Sequence, residues 1–511
     1  MYIGRIWLCR PDPRSPDPAG YHEQVRTAHE AFLDAFPDYA ATAPLDALRA
    51  SEYRRLDARG DAYLDYTGSS LYGESQIAHH ARLLNGSLLG NPHSASPASS
   101  ATTSLVEHAR RAVLEFFNAA DDYTAIFTAN ATGALKHVGE CYPFAPDGRL
   151  LLTADNHNSV NGIREFARAR GACVEYAPLT VPELRVDAAP LDVLLSAAEP
   201  GRANLFAYPA QSNFSGVQHP LALIERAQAK GWDVLLDAAA FVPSNRLDLR
   251  AARPDFVSIS FYKMFGYPTG VGCLLVRHAA LGRLHRPWFG GGTVNFATVH
   301  GRAHLLSPGE AGFEDGTLNF LAIPAVEVGL RHLEAAGIDL IHTRVRCLTA
   351  WLLERLAELR HSNGRPMVRI YGPMTTHERG GIVTMNVYDP AGHLLDYRRA
   401  EELAGERAIS LRTGCFCNPG AGETAEGITD EDVEEAIATT SGLNLPRFLR
   451  FITNRGGRSA GAIRASFGIA SNFADAHRFI EFVASLRDQT RLTMGDVTFD
   501  IESCRVIRDG S

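Results

Sequence analysis

Cysteine is scarce in this chain, 8 in 511 residues and mostly isolated from one another. That excludes the disulfide framework of small secreted domains and makes a reducing cytoplasm the expected location. Long apolar runs are lacking too. No window reaches the roughly 18 consecutive apolar residues of a membrane-spanning helix, so no membrane partner is expected. Residues 1–9 hold too short an apolar run for a signal peptide and lack its small-residue cleavage pattern. No block of Lys and Arg stands out, and the net charge is −8 with a pI near 6.2. A nucleic-acid partner is therefore not expected, although a local basic site for an anion remains open. There is no internal repeat and no long low-complexity segment.

What is present is the composition of a globular protein, 45% hydrophobic and 21% charged. The length exceeds the usual limit of one core, so two domains are expected. Residues 21–60 carry apolar positions at helical spacing. Short apolar runs then recur at 125–128, 150–153, 203–208, 234–237, 256–259 and 272–276, with helical stretches such as 221–230 between several of them. This alternation predicts an α/β protein with a mostly parallel sheet and helices on both faces. Helical patterns follow over 323–336 and 340–359, then an alternating strand at 381–387 and a further α/β section. The expected division is an N-terminal helical segment (1–60) that joins the smaller domain, a large domain (61–335) and a smaller C-terminal domain (336–511). Residues 496–503 read as one edge strand.

Lys263 ends the run from Phe256 and enters a turn rich in Gly and Pro, at the edge of a sheet where α/β proteins keep their ligands. Asp237 closes the strand at 234–237. A buried amine able to form a Schiff base, with an acid to hold a pyridinium nitrogen, is the protein's share of pyridoxal phosphate chemistry. The turn Phe127-Thr-Ala-Asn-Ala-Thr-Gly133 offers backbone N–H groups and the Thr132 hydroxyl to a phosphate. Ser260, three residues before Lys263, is a second phosphate donor. His157 follows the strand at 150–153 and can stack on a flat ring or move protons; Asn213 can donate to a phenolate oxygen. Each has an ordinary reading when taken alone: a capped turn, a loop histidine, an Asx turn, a helix cap for Asp237, a solvated lysine. Together they fall on one edge of a parallel sheet.

The late segment Leu411-Arg-Thr-Gly-Cys-Phe-Cys-Asn-Pro-Gly420 invites a zinc reading, but no second Cys or His pair stands at ligand spacing, so no metal is expected. A thiol on this loop beside Arg412 should be exposed, and a neighbouring cation favours the thiolate. Arg464, in a strand-like run, is either a structural ion pair or a clamp for a substrate carboxylate.

In order, these segments resemble the class V aminotransferase-fold cysteine desulfurase family, and most closely the N-terminal sulfurase part of molybdenum cofactor sulfurases. The phrases that carry the resemblance include Tyr63-Leu-Asp-Tyr-Thr-Gly68, Gly90-Asn-Pro-His-Ser94, Asp237-Ala-Ala-Ala-Phe241, Ser260-Phe-Tyr-Lys-Met-Phe-Gly266, Phe313-Glu-Asp-Gly-Thr317 and Arg412-Thr-Gly-Cys-Phe-Cys-Asn418, spread over roughly residues 60–485. The resemblance implies the pyridoxal-phosphate fold type I, with a seven-stranded-type sheet in the large domain and a smaller α/β C-terminal domain. It implies that Lys263 carries the cofactor, Asp237 pairs with its ring nitrogen, His157 stacks on the ring, Asn213 approaches its phenolic oxygen, and Thr132 and Ser260 bind its phosphate. Thr317 would reach the phosphate in the other subunit of a homodimer. Arg464, with Arg412 nearby, would hold the carboxylate of L-cysteine. Cys417 matches the persulfide-forming nucleophile and Cys415 does not.

The sequence departs from the family at Asn130, where Gly is usual, at Tyr262, where His often stands, and at Gly422, where some sulfurases have a cysteine. Ala240 replaces the Gln of many desulfurases, as in the sulfurase branch. The chain's length leaves no room for the molybdenum-cofactor-binding domain of full-length eukaryotic enzymes, so the sulfur acceptor stays open. A C–S lyase, selenocysteine lyase, epimerase or aminotransferase on the same scaffold is the alternative. A non-catalytic scaffold is opposed by the joint presence of Lys263, Asp237 and His157.

Overall fold

A computed structural model describes residues 18–440, 442–443, 447–448, 451–452, 455, 458–459, 461–494, 498–500 and 505–507. Seven strands build the main sheet: β1 (Tyr123–Thr128), β2 (Arg149–Thr153), β3 (Cys173–Ala177), β4 (Asn204–Pro209), β5 (Asp233–Asp237), β6 (Phe256–Ser260) and β7 (Gly272–Arg277). Their spatial order is β1-β7-β6-β5-β4-β2-β3. All neighbours run parallel except that β7 is antiparallel to both β1 and β6. Strands β4, β5 and β6 are buried along their whole length, as expected of central strands covered on both faces by helices. β3 departs from the sequence reading, which passed over it: it is the sheet edge, half-exposed, with Glu175 paired to Arg149 at 2.6 Å. Its apolar signal is correspondingly weak.

Because β7 reverses direction, its first residue lies beside the last residues of β1 and β6. Gly272 pairs with Thr128 on one side and Ser260 on the other. A Cβ on Gly272 would stand 2.5 Å from the backbone of Asn130. Only glycine lets the turn after β1 close this tightly onto the sheet edge.

A second sheet holds β8 (Val368–Tyr371), β9 (Ile382–Val387), β10 (Arg412–Gly414) and β11 (Ala462–Ser466), antiparallel in the order β8-β9-β11-β10. The helix Ile338–Glu358 runs behind it, and the N-terminal helices pack there. Arg344 is fully buried and donates to Asp46 at 2.6 Å and to Thr42 at 2.9 Å; Arg49 is buried against Asp475 and Asp57. Residues 63–66 cross from these helices to the second sheet, where Asp65 bridges Ser466. Within the tail read as a single edge strand, Thr498–Asp500 pairs antiparallel with Arg505–Ile507 as a separate ribbon; residues 496–497 and 501–503, like residues 1–9, lie outside the described residues. Among the described residues no helix is long and apolar enough to cross a membrane.

Candidate active site

A cavity of about 380 Å³ opens at the carboxyl ends of β4, β5 and β6. Lys263 enters it from the short helix Phe261–Phe265 that follows β6 directly. Burial lowers the pKa of its amine, against the opposing pull of Asp237. Asp237 is buried at the end of β5. Its Oδ1 accepts from the Ser258 hydroxyl (2.8 Å) and the Ala239 N–H (3.1 Å). The other carboxylate oxygen has no hydrogen-bond partner among the described residues. His157 caps the helix Asn158–Asn161, its Nδ1 accepting the Ser159 N–H at 3.1 Å. The neutral ring therefore carries its proton on Nε2, and burial lowers its pKa.

At the other end of the cavity, the turn after β1 leads into the helix Ala131–Cys141. Asn130 caps it by accepting the Gly133 N–H at 2.9 Å, a task for which the cap preference of Asn suits it. Thr132 and Ser260 both line this end; the Thr132 hydroxyl meets that of Ser159 at 2.8 Å.

The loop 414–418 is held against Asn213, which lines the cavity. Cys417 is exposed, and both Phe416 and Cys417 have φ of +55°, a left-handed backbone uncommon outside glycine. The Asn158 N–H donates to the Cys417 carbonyl at 2.7 Å. Asn213 donates from Nδ2 to the Phe416 carbonyl at 2.8 Å and accepts from Asn418 at 2.9 Å. Asn418 also donates to the carbonyl of Asp155 at 2.7 Å, whose carboxylate bonds buried His219 at 2.8 Å. The side-chain amide of Asn213 is thus engaged by the cysteine loop. Cys417 stands close enough to Lys263 and Arg464 that its negative form favours the charge on both.

Arg464, central in β11, is buried. It donates to the Asn213 carbonyl at 2.9 Å and to Asp65 Oδ1 at 3.2 Å, while its Nε is buried with no partner among the described residues. Burial pulls its pKa down to about 10. Arg412 is its cross-strand neighbour on β10 and donates twice to Asp65 Oδ2, at 2.7 and 3.0 Å. That pairing raises the Arg412 pKa. Thr317 stands apart from the others, exposed and outside the cavity, where its hydroxyl accepts only from Asn91 at 3.4 Å among the described residues. No group of three or more His, Cys, Asp or Glu is placed to hold a metal among them.

Sequence reasoning gave no role to Asp65, Ser159 or Asn418. Asp65 lies in the quoted phrase Tyr63-Leu-Asp-Tyr-Thr-Gly68, and Gly68 was the available signal. A Cβ there would fall 2.5 Å from Asp65 Oδ2 and 2.7 Å from the Arg412 guanidinium.

A mostly parallel seven-stranded sheet with a lysine, an aspartate and a capped helix N-terminus gathered at its carboxyl edge defines the class. The chain belongs to the class-V aminotransferase family, which it matches over residues 62–479. Among its relatives, the molybdenum cofactor sulfurase of Arabidopsis thaliana is 37% identical over 502 residues, covering 89% of this chain and 60% of that protein. The molybdenum cofactor sulfurase of Homo sapiens is 36% identical over 468 residues, covering 87% and 51% respectively. The chain thus spans little more than half the length of these relatives. Among solved structures, the apo cysteine desulfurase of Thermococcus onnurineus NA1 superposes with a TM-score of 0.70 at 22% identity, covering 86% of this chain and 97% of that one. A cysteine desulfurase from Escherichia coli gives 0.67 at 21%, covering 86% and 98%. The fold is shared with both.

Proposed function

We propose that this chain is a pyridoxal-phosphate-dependent enzyme that takes sulfur from L-cysteine as a persulfide on Cys417, releases alanine and passes the sulfur to an acceptor. One observation carries the reading: Lys263 and Asp237 share a cleft with Asn213, and Asn213 and Asn158 hold the backbone of the loop that bears the exposed Cys417 thiol.

The residues suit the cofactor. The cavity volume lies within the roughly 300–1,000 Å³ of small-molecule sites. Asp237 keeps one carboxylate oxygen free of partners among the described residues, and Thr132 and Ser260 line the cavity beside the N-terminus of the helix Ala131–Cys141, a setting that favours a phosphate. When bound there, pyridoxal phosphate supplies an electron sink that weakens the bonds around an amino acid's α-carbon.

The chain's own groups then have separate tasks. Lys263 would hold the cofactor through Nζ and, once displaced by substrate, carry a proton there. Its lowered pKa keeps more of the amine neutral and able to accept that proton. Asp237, its orientation fixed by Ser258, would hold the protonated ring nitrogen, and His157 would face the ring and donate from Nε2. Arg464 would take the substrate carboxylate, with Arg412 beside it. Cys417 Sγ attacks the substrate sulfur: an S–S bond forms as the C–S bond breaks, and the electron pair left on carbon takes a proton to give alanine. The names of the sequence relatives support a molybdenum-cofactor-like or other biosynthetic acceptor.

A second copy of the chain would complete the site. Thr317 lies outside its own cavity, in a stretch that exposes Trp288, Phe289, Phe296, Leu305 and Leu321. Exposed apolar side chains along this stretch support such an interface, and across it Thr317 would reach the partner's phosphate.

Cys417→Ala should lower alanine release from L-cysteine by about a hundredfold or more while the absorbance of the bound cofactor persists. A C–S lyase working through Lys263 alone would keep its turnover, and that result would overturn the persulfide role.

A further inference from the structure

Phe416 separates the two cysteines of the loop and touches both halves of the candidate site. Its ring covers the Arg464 guanidinium, with 4.6 Å between the guanidinium carbon and the ring centroid. Beside it the ring of Phe214 lies 5.7 Å away, centroid to centroid. Its carbonyl is held by Asn213 and the next one, of Cys417, by Asn158. The two residues so held are the ones with left-handed backbone. Strained backbone of this kind lasts only where its surroundings impose it, and the surroundings here include the ring's seat on Arg464.

Arg464 is also where a substrate carboxylate would bind. Two of its nitrogens are committed, to Asp65 and to the Asn213 carbonyl, while Nε is buried without a partner among the described residues. A carboxylate arriving there would draw the guanidinium into in-plane hydrogen bonds and change the charge and tilt presented to the ring above it. The ring is one residue from the thiol, in a segment with little conformational slack.

We propose that Phe416 is a positioning residue that couples occupancy of Arg464 to the pose of the Cys417 thiol. The proposal rests on the roles of Cys417 and Arg464 argued above. It gives the loop a way to present its thiol when an amino-acid carboxylate is in place, and to hold it otherwise.

The test uses the full chain loaded with pyridoxal phosphate and measures alkylation of Cys417 by iodoacetamide, read by peptide mass, with and without L-alanine. L-alanine carries the carboxylate but no sulfur, and saturation is judged for each protein from the cofactor absorbance. In the unaltered protein, saturating L-alanine should change the labelling rate by about fivefold or more. Phe416→Tyr, which keeps the ring, should retain that response, whereas Phe416→Leu should reduce it to less than about twofold and raise KM for L-cysteine. Simple shielding of the thiol by L-alanine would survive in Phe416→Leu, so an unchanged response there overturns the coupling. An unaltered protein whose labelling ignores L-alanine overturns it too, without recourse to any variant. Should Phe416→Leu fail to fold, Arg464→Lys, which lacks the planar cation, must lose the response; if it keeps it, the coupling is wrong. Retained turnover in Cys417→Ala would instead refute the functional reading, so the two failures are distinguishable.

Discussion

Asp65 gives one carboxylate oxygen to Arg412 and the other to Arg464, and so fixes two guanidinium groups that meet across β10 and β11. Its partners lie more than 340 residues away in sequence, which is why spacing alone gave it no role; the absent Cβ at Gly68 was the local trace of the contact. Asn213 teaches a related lesson. Its place after β4 was legible, but its amide is taken by the cysteine loop, an arrangement set by tertiary packing. His157 yields a prediction at this scale. Burial holds its imidazole below the ordinary value of 6.5, so as pH falls the unfolded chain takes up that proton first and the folded state loses stability on the acid side. The melting temperature of the unaltered protein minus that of His157→Gln should therefore fall between about pH 7.5 and about pH 5.5. A difference that does not move with pH would contradict the burial argument.

The elements that position the site were readable where they are buried on both faces. The runs ending at Asp237 and Ser260 have unbroken apolar character because they are central strands. What escaped the sequence is at the margins: β3 at the sheet edge, and the exposed hairpin that pairs Val294–Ala297 with His304–Leu306. The reversal of β7 also has no signature in periodicity, although it brings Gly272 against the turn that carries Asn130 and Thr132. Gly272→Ala should push that turn outward and weaken pyridoxal phosphate binding by about tenfold or more, with helix content unchanged. Titration of the apo protein with the cofactor, followed by absorbance, checks this; unaltered affinity would mean that the turn does not hold the phosphate.

Over the whole molecule, the lysines of the chain are Lys136, Lys230 and Lys263, and of these only Lys263 lines the cavity. The exposed hairpin would bear on the proposed assembly, since Phe296 and Leu305 are cross-strand partners that both face solvent. Sedimentation should show a species of twice the chain mass, and Phe296→Asp with Leu305→Asp should shift it to monomer and lower turnover together, because Thr317 would then have no partner cavity to serve. A monomer that keeps full turnover would contradict the shared site. The proposed chemistry turns on Cys417. The most direct measurement is brief incubation of the cofactor-loaded protein with L-cysteine, followed by mass analysis of the peptide that contains Cys417. The account predicts a gain of one sulfur atom on that cysteine with alanine released in step; alanine release with no sulfur on Cys417 would contradict it.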